Sequence, residues 1–65
     1  MHKYSIVVCA QKCHDWNNRF RNFQTIVHNR LNIDISKIFE ATEEDAAQIL
    51  EIAKGCKIKI ILNKL

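Results

Sequence analysis

Near the start of the chain, Tyr4, Ile6, Val8 and Ala10 alternate with Ser5, Val7 and Cys9. Alternation at period two places the first set on one face of a strand. The second set is also apolar or small, so the opposite face of this strand is expected to be largely covered as well. Gln11 to His14 reads as a loop, with Asp15 as the N-cap of a helix. Trp16, Phe20, Phe23, Val27 and Leu31 then recur at intervals of four, three, four and four residues. That spacing is one face of an amphipathic helix over 15–31. Asn18, Arg21, Asn22, Thr25 and Asn29 occupy its other face.

Residues 33–39 fit two patterns. Ile33 and Ile35 alternate with Asp34 and Ser36, as in a strand, while Ile35, Ile38 and Phe39 fit a helical turn. A short strand is the preferred reading, because the next helix has a start signal of its own. Thr42-Glu43-Glu44-Asp45 has the spacing of a capping box, and its acids complement the positive end of the helix dipole. Ala46, Ile49, Leu50 and Ala53 form the buried face of this second helix, and Gly55 is expected as the C′ residue that ends it. Lys57 to Leu62 reads as the last strand, with Ile58, Ile60 and Leu62 facing the core and Lys57 and Lys59 facing water.

The order β-α-β-α-β predicts an α/β (α+β) fold. It is a two-layer sandwich, with two helices on one face of a small three- to four-stranded sheet. Val7 and Ile61 would lie on the sheet's other face. An exposed sheet face there could seat a partner or a second copy as a homodimer.

Composition narrows the function classes. The chain has 65 residues, 48% of them apolar and 26% charged, with one Gly and no Pro. This is a globular recipe and not a disordered one. It is also short enough that one domain, over 1–65, is all it can hold, with no room for a deep substrate cavity. Any chemistry must therefore sit on surface side chains, and a larger protein partner is expected. Residues 1–32 carry net charge +4 and residues 33–65 carry −1. The basic half could meet an acidic protein or a phosphate. The cations are too dilute for a nucleic-acid stripe, so nucleic acid is not the expected partner. The three cysteines are an odd number that suits free thiols in a reducing cytoplasm. No signal-peptide core is visible, and the apolar run Ile6 to Ala10 is too short for membrane insertion.

Cys13-His14 precedes the first helix, whose N-terminus offers unpaired N–H groups and partial positive charge. A phosphoryl group on His14 would lie against those donors, with Arg19 and Lys12 able to neutralise it. Other chemistry fits less well. Cys9, Cys13 and His14 could supply zinc ligands with His2, His28 or Cys56 as the fourth, but no paired Cys-x2-Cys or His-x3-His occurs. Cys9 to His14 is one residue longer than a haem-attachment motif, and Met1 or a His would have to supply the second axial ligand. Cys13 beside His14 has the elements of an activated thiol, without a third group to orient them. No metal and no cofactor is therefore expected. Cys56 reads as a small hydrophobe, and His28 as a solvated helix residue.

The layout resembles the histidine-containing phosphocarrier (HPr) family of bacterial sugar phosphotransferase systems. The resemblance rests on four pieces. They are the strand Lys3–Cys9, the loop ending in His14 at a helix start, the capped helix over Thr42–Lys54, and Gly55-Cys56-Lys57-Ile58-Lys59-Ile60 leading into the last strand. Where the family motif reads Gly-Leu-His-Ala-Arg-Pro-Ala, this chain has Lys12-Cys13-His14-Asp15-Trp16-Asn17-Asn18. Trp16 therefore stands in place of the family's Arg, and Asn17 in place of its Pro. The resemblance implies an open-faced sandwich and a phosphoryl carrier acting through His14. Charge would be neutralised by Arg19, with Lys12, Cys13, Trp16 and Arg21 as contact residues. The alternative is an interaction or inhibitor module without chemistry of its own. It would bind through the basic helix 15–31 or the exposed sheet face. A third reading is weak RNA binding through Lys12, Arg19, Arg21 and Arg30.

Overall fold

A computed structural model describes residues 3–65. The chain order is β1 (Lys3–Val8), α1 (Trp16–Leu31), β2 (Ile38–Thr42), α2 (Glu43–Gly55) and β3 (Ile60–Lys64). The three strands form one antiparallel sheet in the order β2-β1-β3, so β1 is central. The expected two-layer α+β sandwich is thus present, with three strands.

The register explains the core. Ile6 lies opposite Phe39 and Leu62, Tyr4 opposite Ala41, and Val8 opposite Ile60. Paired residues share a face, so this is the side that the helices cover. Ile6 is fully buried there with Phe23 and Val27 of α1 and Ile49 of α2. Each such side chain contributes about 1.5–3 kcal/mol by leaving water. Of the other expected core positions of α1, Trp16 is buried, while Phe20 and Leu31 are only half-buried and pack against this cluster.

Among the described residues, no helix or loop covers the other face of β1. Ser5 and Val7 are half-buried, between β2 and β3. This corrects the expectation drawn from the apolar character of both faces.

Two strands lie further along the chain than the pattern predicts. Residues 33–37 form the connection, and β2 begins at Ile38. Ile35 is buried as an apolar plug, and its carbonyl accepts a hydrogen bond from Gln24 Nε2 at 3.0 Å. The Ile33/Ile35 alternation therefore serves a packed loop. Thr42 ends β2 and also caps α2, its Oγ1 accepting from the Asp45 N–H at 3.3 Å. No residue is left for a connecting turn. Along α2, Leu50 is half-buried and Ile52 is buried in its place.

The end of α2 moves β3 as well. Gly55 is still helical, and the left-handed residue is Lys57 at φ 57°. Lys57 N–H bonds to Lys54 C=O at 3.2 Å and Ile58 N–H to Ala53 C=O at 2.9 Å. This is a Schellman closure with Lys at C′. It occupies 56–58, so Ile58 is buried before the strand starts at Ile60. At the end of α1, Asn32 takes the left-handed position (φ 57°), where its N–H bonds to His28 C=O at 2.9 Å.

Candidate functional site

Two regions carry the candidate residues. The first is the loop between β1 and α1. His14 lies in the turn before α1 and is exposed, as is Lys12, while Cys13 is half-buried. Asp15 stands at the N-cap position, but its side chain does not cap the helix. Its carboxylate instead accepts from Arg19 Nε at 3.1 Å and from Cys13 Sγ at 3.5 Å. The Cys13 hydrogen bond first, and then the Arg19 guanidinium, hold the Asp15 carboxyl below the usual carboxylate range. Arg19 is thus engaged by Asp15.

Trp16 is only 8% exposed and stacks on Phe20, with ring centroids 5.1 Å apart and planes within 7°. Its indole N–H is buried and has no acceptor among the described residues. Arg21 is exposed. At 3.6 residues per turn it projects about 200° around α1 from Arg19. Arg30 shares a face with Arg19 but lies about 16 Å further along the axis. The cations of α1 are thus spread around and along the helix.

The cysteines remain free thiols, with Cys9 and Cys13 half-buried and Cys56 buried. Burial pushes the Cys56 thiol up. Among the described residues no three of His, Cys, Asp and Glu converge on one point. His2 and Met1, the candidate zinc and haem ligands, lie outside the described residues. His28 is exposed on α1, with Nδ1 2.9 Å from Asp34 Oδ1. A groove of about 350 Å³ between α1 and α2 has Ile26, Ile52 and Cys56 along it and Arg30 and Glu51 at its sides. It includes neither His14 nor any residue of its loop.

The second region is the open face of the sheet. Val7 sits directly between Ile38 on β2 and Ile61 on β3. Ile38 is 67% exposed and Ile61 46%. At a strand spacing of about 4.8 Å, the three side chains form one apolar row roughly 10 Å across. The adjacent row, Glu40-Ser5-Asn63, is polar. Val7 and Ile61 are placed where the sequence pattern put them. Ile38 was missed, because Ile38 and Phe39 are adjacent and both apolar, so the run Ile38-Phe39-Glu40-Ala41 does not by itself put Ile38 on the open face.

Comparison with family models, curated proteins and solved structures finds no match to this chain. Among the described residues no helix is long and apolar enough to cross a membrane.

Proposed function

We propose that this chain is a small interaction module that docks on a larger protein through the open face of its sheet. The observation that carries this reading is the Ile38-Val7-Ile61 row. It is a set of branched apolar side chains on a face that no element among the described residues covers. Scattered exposed apolar residues are ordinary, whereas aligned ones on a bare sheet face suit a binding surface. Free thiols fit a reducing compartment such as the cytoplasm.

The test is site-specific photo-crosslinking in cells that produce the protein. A crosslinker at Ile38 or Ile61 should give a discrete larger adduct. The same group at Asn29 on exposed α1 should not, and Val7→Lys should abolish the adducts. Adducts equally abundant from Asn29, or none from the sheet positions, would sink the reading.

One observation favours a second reading, in which His14 accepts a phosphoryl group as the HPr resemblance implies. The first turn of α1 has no acidic residue and takes no side-chain cap. Its first-turn N–H groups are therefore not taken by a side-chain cap, and His14 stands exposed two residues before the helix begins. Phosphoryl transfer from phosphorylated Enzyme I would place the group on a His14 ring nitrogen and return free Enzyme I. Intact mass after incubation with phosphoenolpyruvate and Enzyme I should show an acid-labile phosphate that His14→Ala lacks. An unchanged mass would rule this chemistry out and leave the docking reading untouched.

A further inference from the structure

Among the described residues, one edge of β3 has no strand paired to it. Cys9 N–H donates to Lys59 C=O at 2.9 Å, and Leu65 N–H donates to Lys3 C=O at 2.9 Å. With the β1–β3 register, these bonds turn the backbone groups of Lys59, Ile61, Asn63 and Leu65 toward β1. The N–H and C=O of Ile60, Leu62 and Lys64 point the other way. Among the described residues they find no backbone partner.

The opposite edge is different. Val8 N–H donates to Lys37 C=O at 2.8 Å, so Ile38 and Glu40 turn their backbone outward on β2. There Ser36 Oγ donates to Ile38 C=O at 2.7 Å. Glu40 adds a charge. Both features blunt an edge against pairing, and β3 has neither at its centre.

We propose that β3 is an association edge whose occupant is a second copy of this chain, paired antiparallel about a two-fold axis at Leu62. In that register Leu62 lies opposite Leu62 of the second copy, and Ile60 opposite its Lys64. Each outward residue then exchanges both of its bonds, about six in all. The charges select this arrangement. Lys59 and Lys64 bracket the strand. Antiparallel pairing places them opposite Leu65 and Ile60, so no like charges face each other directly. A parallel arrangement would bring the cations of the two copies alongside one another. Leu65, 64% exposed, gains cover from the Lys59 stem of the second copy. The product is one six-stranded sheet. The contact is below about 1,200 Å², the size of weak complexes, so it forms and dissociates with concentration.

The test is sedimentation equilibrium from micromolar to millimolar protein, with amide hydrogen exchange followed over the same range. The expected result is a monomer–dimer equilibrium in which the Ile60, Leu62 and Lys64 amides become protected as the dimer forms. The Ile61 and Asn63 amides, bonded to β1, should be protected throughout. Lys64→Pro removes an outward donor and none of the bonds to β1. By symmetry it deletes two intermolecular bonds, each worth about tenfold, so dimerisation should weaken about a hundredfold. A monomer at every concentration would overturn the proposal. So would a dimer that leaves those three amides exchanging freely, which would place the contact on the open face. The exchange result on the parent chain decides the matter even if Lys64→Pro fails to fold.

Discussion

Lys57 holds a left-handed backbone at φ 57°. For a residue with a Cβ this conformation costs about 1–2 kcal/mol, and Gly escapes the penalty. Gly55, two residues earlier, is helical, and a Cβ there would meet nothing within 4 Å. The chain thus has a flexible residue where a rigid one fits, and the reverse. Lys57→Gly should raise stability by about 1 kcal/mol, and Gly55→Ala by about 0.5–1 kcal/mol. Urea denaturation checks both, and a loss from Lys57→Gly would contradict the Schellman closure. A lone Gly in the sequence marks the end of a helix to within a turn. It cannot say which residue turns left-handed, because the tertiary position of Ile58 decides that. Cys56, read from the sequence as a small hydrophobe, is buried, and burial raises its thiol above the ordinary value of 9.0. Folding therefore favours the protonated thiol. That stability is fully present below the unfolded thiol value and is lost as pH rises through the higher folded value. Denaturation midpoints should fall more steeply as pH rises above about 9 in the parent than in Cys56→Ala. Parallel profiles would show that the thiol contributes nothing to the slope.

Two helix starts carry similar sequence signals, and only one uses the cap. Thr42 Oγ1 accepts from Asp45 N–H, so Thr42→Ala should cost about 1 kcal/mol, while Thr42→Ser keeps the acceptor and most of the stability. Equal losses in the two variants, measured by thermal unfolding, would mean that the β-branched side chain matters to β2 and the cap does not. At α1 the same logic misleads. Asp15 is in the right place, but Cys13 and Arg19 engage its carboxylate, and no side-chain cap forms. Position along the chain was legible in both cases. The hydrogen-bond partner was not, because it depends on which side chains the loop brings within reach. The same distinction explains β2. Ile33 and Ile35 have strand-like alternation, yet Ile35 is consumed as a core plug ahead of the strand. Periodicity reports which side chains are apolar on one side, and only pairing with β1 reports which of them lie in the sheet.

For the molecule as a whole, the two faces of one sheet have different consequences. A domain of this size has a core that rarely supplies more than about 3–5 kcal/mol net. Phe23 is fully buried, and removing a buried Phe ring costs about 3–5 kcal/mol. Phe23→Ala should therefore abolish cooperative unfolding. Ile38 is an equally apolar residue on the opposite face, two-thirds exposed. Ile38→Lys should shift stability by no more than about 0.5 kcal/mol. Circular dichroism melts of the two variants separate the core role from the surface role. A large loss from Ile38→Lys would mean that the open-face row is needed to hold the sheet together, and the case for keeping it as a docking surface would fall. Its legibility runs along the same line. Val7 and Ile61 were readable from their own strands, because alternation alone gives their face. Ile38 joins them only through the β1–β2 pairing between segments some thirty residues apart. A row assembled from three strands is a property of the register. If Ile38→Lys leaves the melt unchanged, the exposure of that row is not required by the fold, which is what a surface kept for a partner predicts.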